Sequence, residues 1–149
     1  MSGIWEEARK RDRKMKEGDI AGLAVFQYPY AYVGIKKVNG QNYIVMVNNG
    51  KTIDSSLVKG STIYLRTSAV YGSGAAHYSD GKAAPGTGTA SFAFSPDNKS
   101  FVKIGNELKM MFNLKIFTGN KFCLFNYATK QTGGYVDIDW FRTGEIFKD

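Results

Sequence analysis

Thirteen carboxylates, one histidine and one cysteine are the chain's stock of reactive side chains. Five of the carboxylates fall within the first nineteen residues, and Asp54, Asp80 and Asp97 sit among turn-forming neighbours. Asp137 and Asp139 alternate within "GYVDIDWFR", which reads as a strand. Alternation puts them on one face, about 7 Å apart. Three chemistries are open to such a pair: acid and base of a glycosidase, ligands of a structural calcium, or solvated carboxylates. A glycosidase needs its two carboxyls flanking the bond, which one strand face does not offer. Calcium needs several oxygens, and two Asp alone do not supply them. The solvated face is the simplest reading. His77 lies in a glycine-rich loop and Cys123 in an apolar strand pattern, far apart in sequence. That is no nucleophilic pair and no zinc cluster. The "GSG" and "GTG" triplets lack the strand-to-helix setting of a phosphate loop.

The aromatics carry more. Nine Tyr, ten Phe and two Trp are present. In "NKFCLFNYA", Phe122, Leu124 and Asn126 alternate with Cys123, Phe125 and Tyr127. In "GYVDIDWFR", Val136, Ile138 and Trp140 alternate with Asp137, Asp139 and Phe141. Both faces of each run therefore bear rings. One face is core, and the other is free to be a flat apolar platform for a sugar or a base. Tyr28, Tyr30 and Tyr32 bracket a proline at a strand break.

These residues need strands to hold them. Apolar runs at 20–28, 31–37, 42–49, 61–71, 89–95, 120–128 and 134–142 are broken by turn residues, and 51–58 and 101–105 read as shorter strands. Asn39-Gly40 and Asn49-Gly50 are hairpin signals. Residues 72–88 read as a loop, and 106–117 as a short helix or a surface loop. Eight to ten short strands at this spacing predict an all-β antiparallel sandwich or barrel in one domain. Residues 1–17 differ. "IWEEARKRDRKMKE" has a helical composition with few apolar positions, so a short charged helix or tail is expected before a sandwich over 18–149.

Formal net charge is +7, of which residues 6–17 contribute +2, with six Lys or Arg against four Asp or Glu. The remainder is scattered, which suits solubility better than a nucleic-acid groove. No run reaches the ~18 apolar residues of a membrane helix. The start lacks a signal peptide's apolar core, so the chain as written is expected in the cytoplasm.

Three segments in order, "MKEGDIAGLAVFQ", "YAYVGIKK" and "FTGNKFCLFNYATKQTGGYVDIDWFR", resemble the C-terminal domain of family 43 glycoside hydrolases, the β-xylosidases and α-arabinofuranosidases. The resemblance covers roughly residues 15–143 and implies a concanavalin A-like jelly roll. It also implies that catalysis belongs to a separate five-bladed propeller, so this chain is expected to be a non-catalytic accessory that binds xylo- or arabino-oligosaccharide or buttresses the propeller. Phe117 corresponds to the neighbourhood that closes the propeller's pocket. The family has further strands before the "GDIAGL" strand. Here the charged segment stands in their place, which would leave an unpaired edge and favour a second copy of the chain.

The candidate carbohydrate-binding residues are Gln27, Tyr28, Tyr30, Phe117, Asn126, Tyr127 and Trp140. No cofactor is expected beyond an optional calcium at Asp137 and Asp139. The alternatives are a glycosidase using Asp137 and Asp139, or a basic nucleic-acid-binding module.

Overall fold

A computed structural model of the chain describes residues 2–71, 88–110 and 121–147. The described residues form eleven strands and no helix. Five of them make one antiparallel sheet in the order β10-β2-β3-β4-β5, from Lys121–Tyr127 (β10), Ile20–Phe26 (β2), Ala31–Val38 (β3), Gln41–Asn48 (β4) and Lys51–Val58 (β5). The second sheet runs β11-β1-β6-β7-β8, from Tyr135–Phe147 (β11), Ser2–Lys14 (β1), Thr62–Tyr71 (β6), Gly88–Ser95 (β7) and Val102–Lys103 (β8). Leu108–Met110 (β9) also pairs with β7. This is the expected all-β antiparallel sandwich.

Alternation builds the core. Leu23 and Val25 of β2, Val33 and Ile35 of β3, and Ile44 and Met46 of β4 meet Ile63 and Leu65 of β6 and Phe92 of β7. Each of these is at most 3% exposed. In β6 the buried residues Ile63, Leu65, Thr67 and Ala69 alternate with half-buried ones, as a two-residue period requires.

The charged N-terminal segment departs from expectation. A helix or tail was predicted over residues 1–17, yet β1 is a thirteen-residue strand between β11 and β6. Helix propensity is worth only tenths of a kcal/mol per residue. Two flanking strands supply backbone partners on both sides, and that outweighs it. The edge predicted to lack a strand is therefore filled from within the chain. The region after Phe101 is likewise strand at β9, while residues 111–120 lie outside the described residues.

Two turns follow the sequence closely. Asn39 and Gly40, and Asn49 and Gly50, all have positive φ, the geometry that two-residue hairpin loops demand. Glu17 reaches the first of them. Its Oε1 accepts from Asn39 N at 2.7 Å and its Oε2 from Gly40 N at 3.1 Å. These backbone donors, Gly40 foremost, hold the Glu17 carboxyl below its ordinary value.

In β11 the register slips where Arg9 pairs with Trp140 but Lys10 pairs with Ile138, so Asp139 is an extra residue in a bulge. The simple alternation predicted across "VDIDWF" fails there. Val136 packs on the core, while Trp140 lies 5.8 Å from the ring of Tyr64, whose neighbours Ile63 and Leu65 point inward.

The most demanding local feature is a glycine pair. Gly22 of β2 lies directly opposite Gly34 of β3, and Phe125 of β10 lies opposite Gly22. A Cβ at Gly22 would collide with the Val33 carbonyl oxygen and come within 2.6 Å of Phe125 Cζ. At Gly34 it would come within 2.7 Å of the Ala21 carbonyl oxygen. Gly22→Ala should therefore destabilise the fold by roughly 2 kcal/mol, the usual cost of overpacking. Urea unfolding measures it, and an unchanged midpoint would show that the ring and backbone yield freely.

Candidate carbohydrate-facing site

The five-stranded sheet is apolar on both faces. Its outer face carries a second cluster of Ile20, Ala24, Tyr32, Val45 and Val47, with Tyr30, Tyr43, Cys123 and Phe125 packed against it. Registers across four strands order these residues into rows. Tyr127, Ile20, Lys36 and Tyr43 form one row. Phe125, Gly22, Gly34 and Val45 form the next, and Cys123, Ala24, Tyr32 and Val47 the third. Residues opposite one another on a face are about 5 Å apart. The middle row has no side chains at its centre, and the rows beside it carry Tyr32, Lys36 and Tyr127. Small residues between large ones leave a trough.

That trough has a volume of about 580 Å³, within the range of small-molecule sites. Phe125 covers Gly22, standing edge-on to Tyr32 at 4.8 Å and tilted by 30° from Tyr127 at 5.9 Å. Phe125 and Tyr127 thus place two neighbouring rings, mutually tilted, along the same face of β10. The Tyr32 and Tyr127 hydroxyls approach to 3.4 Å. Thr52, Thr129, Lys36 and Gly50 add polar groups around the rim. A site with flat rings below and hydroxyls and an ammonium at its margin suits a ring-shaped ligand with an apolar face and polar edges.

The loop that follows β10 is tied to the turn before β2. Thr129 Oγ1 donates to the Gly18 carbonyl at 2.7 Å, and Lys16 Nζ to the Thr132 carbonyl at 3.0 Å. Asp19 is 1% exposed and accepts from Lys16 N through Oδ2 at 2.8 Å. Gly134 passes so close that any Cβ there would strike this carboxylate. These ties fix Thr129 at the trough's margin.

The residues singled out from sequence are dispersed. Tyr30 and Tyr127 line the trough. Tyr28 is 69% exposed and Gln27 is 9% exposed, and neither lines it. Asn126 sits on the opposite side of β10 from Tyr127 and donates to the Gly134 carbonyl at 3.5 Å. Trp140 is on the other sheet, beneath the Arg142 guanidinium at 4.5 Å. Phe117 lies outside the described residues. Asp137 and Asp139 are exposed on β11, and among the described residues no three His, Cys, Asp or Glu side chains gather into a metal-binding group. Tyr32, Phe125, Lys36 and the glycine pair were missed as site residues. Their signal was the run of small outward positions, Gly22, Ala24 and Gly34, facing outward aromatics.

Burial, then the facing Tyr127 hydroxyl, pushes the Tyr32 phenol above its ordinary value of 10.0. A raised pKa means that the folded state holds its proton to higher pH than the unfolded chain does. Its contribution to stability is complete below pH 10 and is lost as pH rises through the folded value. Tyrosinate absorbance should therefore show one late-titrating phenol that Tyr32→Phe removes. Its persistence in that variant would assign the late phenol elsewhere.

The profile of the β-xylosidase C-terminal concanavalin A-like domain matches residues 12–143. Among solved structures, the bifunctional GH43-CE protein of Bacteroides eggerthii is 32% identical with a TM-score of 0.81, over 98% of this chain and 18% of that one. A GH43 glycoside hydrolase engineered for both endo-xylanase and exo-arabinofuranosidase activity is 24% identical with a TM-score of 0.83, over 97% of this chain and 29% of that one. A xylan β-1,4-xylosidase of Bacillus halodurans shares the fold at 14% identity and a TM-score of 0.66, over 95% of this chain and 27% of that one. A search of curated proteins finds no match. The chain thus spans less than a third of the length of these enzymes and corresponds to one of their domains. It belongs to the family of β-xylosidase C-terminal concanavalin A-like domains.

Proposed function

We propose that this domain serves a xylan-degrading family 43 glycoside hydrolase as its non-catalytic sandwich, and that it offers the trough on its five-stranded sheet to xylo- or arabino-oligosaccharide. Bond cleavage belongs to a catalytic propeller that works beside it. The observation that carries the reading is the paired Phe125 and Tyr127 faces, next to the Tyr32–Tyr127 hydroxyl pair. A pentose ring lays its C–H face on such rings and turns its hydroxyls to the rim. Each hydroxyl exchanges water for protein, so the net gain per hydrogen bond is about 1 kcal/mol. Stacking supplies most of the remainder, and binding is weak.

The glycosidase and nucleic-acid readings gain no support. Asp137 and Asp139 stand at the bulge of β11, on the other sheet from the trough. The Bacteroides eggerthii protein, 32% identical, carries a GH43 name and no nucleic-acid one, and this chain matches only 18% of its length.

Titrating xylohexaose into the chain should shift the amide resonances of Cys123, Phe125 and Tyr127. Tyr127→Ala should weaken binding about tenfold, equivalent to about 1.4 kcal/mol. Shifts confined to other residues, or none, would remove the sugar-facing role. The purified chain should leave an aryl xyloside and an aryl arabinofuranoside intact. Turnover abolished by Asp137→Asn would instead make it an enzyme.

A further inference from the structure

Lys36 carries the only charge among the described residues that line the trough, and no carboxylate joins it there. It stands directly opposite Ile20 on β2 and Tyr43 on β4, in the row that begins with Tyr127 and beside the glycine pair. A second depression of about 220 Å³ continues from the first, lined by Val38, Tyr43, Val45 and Ser55. Lys36 and Thr52 line both. Lys36 and Thr52 therefore stand between two adjoining hollows, one floored by rings and one smaller.

A neutral pentose chain can accept a hydrogen bond from that ammonium but offers nothing to its charge. Lys36 is half-buried as a residue, its stem lying along the apolar floor with the ammonium at the margin, and an ammonium gains more from an anionic partner than from a neutral one. We propose that the trough takes an acid-bearing sugar: a pyranose ring lies on Phe125 and Tyr127, and the carboxylate of a uronic acid unit on the same oligosaccharide meets Lys36 between the two hollows, with Thr52 beside it. This deepens the sugar-facing reading and rests on it. The two hollows suit a branched ligand, with a backbone ring in the larger and the acidic branch crossing toward the smaller. The scattered positive charge of the chain adds a weak, salt-screened attraction of its own, so the test must separate Lys36 from that background.

Three probes do this with the full chain by calorimetry: xylotriose bearing one glucuronic acid branch, the same oligosaccharide with the branch carboxyl reduced to the alcohol, and unbranched xylotetraose. The acidic probe should bind about five- to tenfold tighter than its reduced counterpart at low salt, as expected of one charge-assisted contact. Lys36→Met should erase that margin, the acidic and reduced probes then binding equally whatever their common affinity, and Lys36→Arg should keep it. Equal binding of acidic and reduced probes would overturn the proposal and leave the neutral-sugar reading standing. A margin that survives Lys36→Met would also overturn it, assigning the preference to net charge. Binding by none of the three would sink the sugar-facing reading itself. Unfolding midpoints of the Lys36 variants, expected within a few degrees of the parent, show that any loss is not a folding defect.

Discussion

Two glycines facing each other across neighbouring strands are the constraint on which the rest of the outer face depends. Without side chains at Gly22 and Gly34, the middle of the sheet lies open. Phe125 reaches in from the edge strand and closes it. Glycine normally weakens a strand, because it gives up more conformational freedom and packs nothing. Here the aromatic from the neighbouring strand replaces the missing contact. The ring's height is set by the backbone beneath it, so its position is fixed as firmly as the sheet. Tyr32 then holds it edge-on, and Tyr127 extends it outward.

This arrangement works because the five-stranded sheet is apolar twice over. Its inner residues join the other sheet in one core, and its outer residues form a separate cluster. In β2, Ile20 through Val25 are all buried, three facing each way. A sheet that faced water on one side would show alternation throughout. The second sheet does so in β6, where inward apolar residues alternate with half-buried ones. The two sheets thus divide the work: one completes the core, and the other completes the core and also builds a concave apolar surface.

The charged first strand illustrates how far local preference can be overruled. Its residues favour a helix by composition, but the gap between β6 and β11 offers hydrogen-bond partners on both edges for most of its length. A helix placed there would leave two strand edges unpaired. The bulge at Asp139 has the same kind of cause. One extra residue on β11 is absorbed against β1, and everything beyond it changes face. Trp140 therefore leaves the face that simple alternation would have it share with Val136, and lies beside Tyr64 instead.

What the sequence determined by itself was local: the positions of most strands, the turns at Asn39-Gly40 and Asn49-Gly50, and the presence of rings on both faces of "KFCLFNY". Each depends on neighbours within a few residues, through alternation or through φ. The resemblance of three ordered segments supplied the fold family. Only the tertiary structure decided which rings converge. Tyr127 and Tyr30 meet Phe125 and Tyr32, while Gln27, Tyr28, Asn126 and Trp140 do not line the same hollow. Those neighbours come from strands up to a hundred residues apart, and a single slip of register would have turned every one of them to the other face.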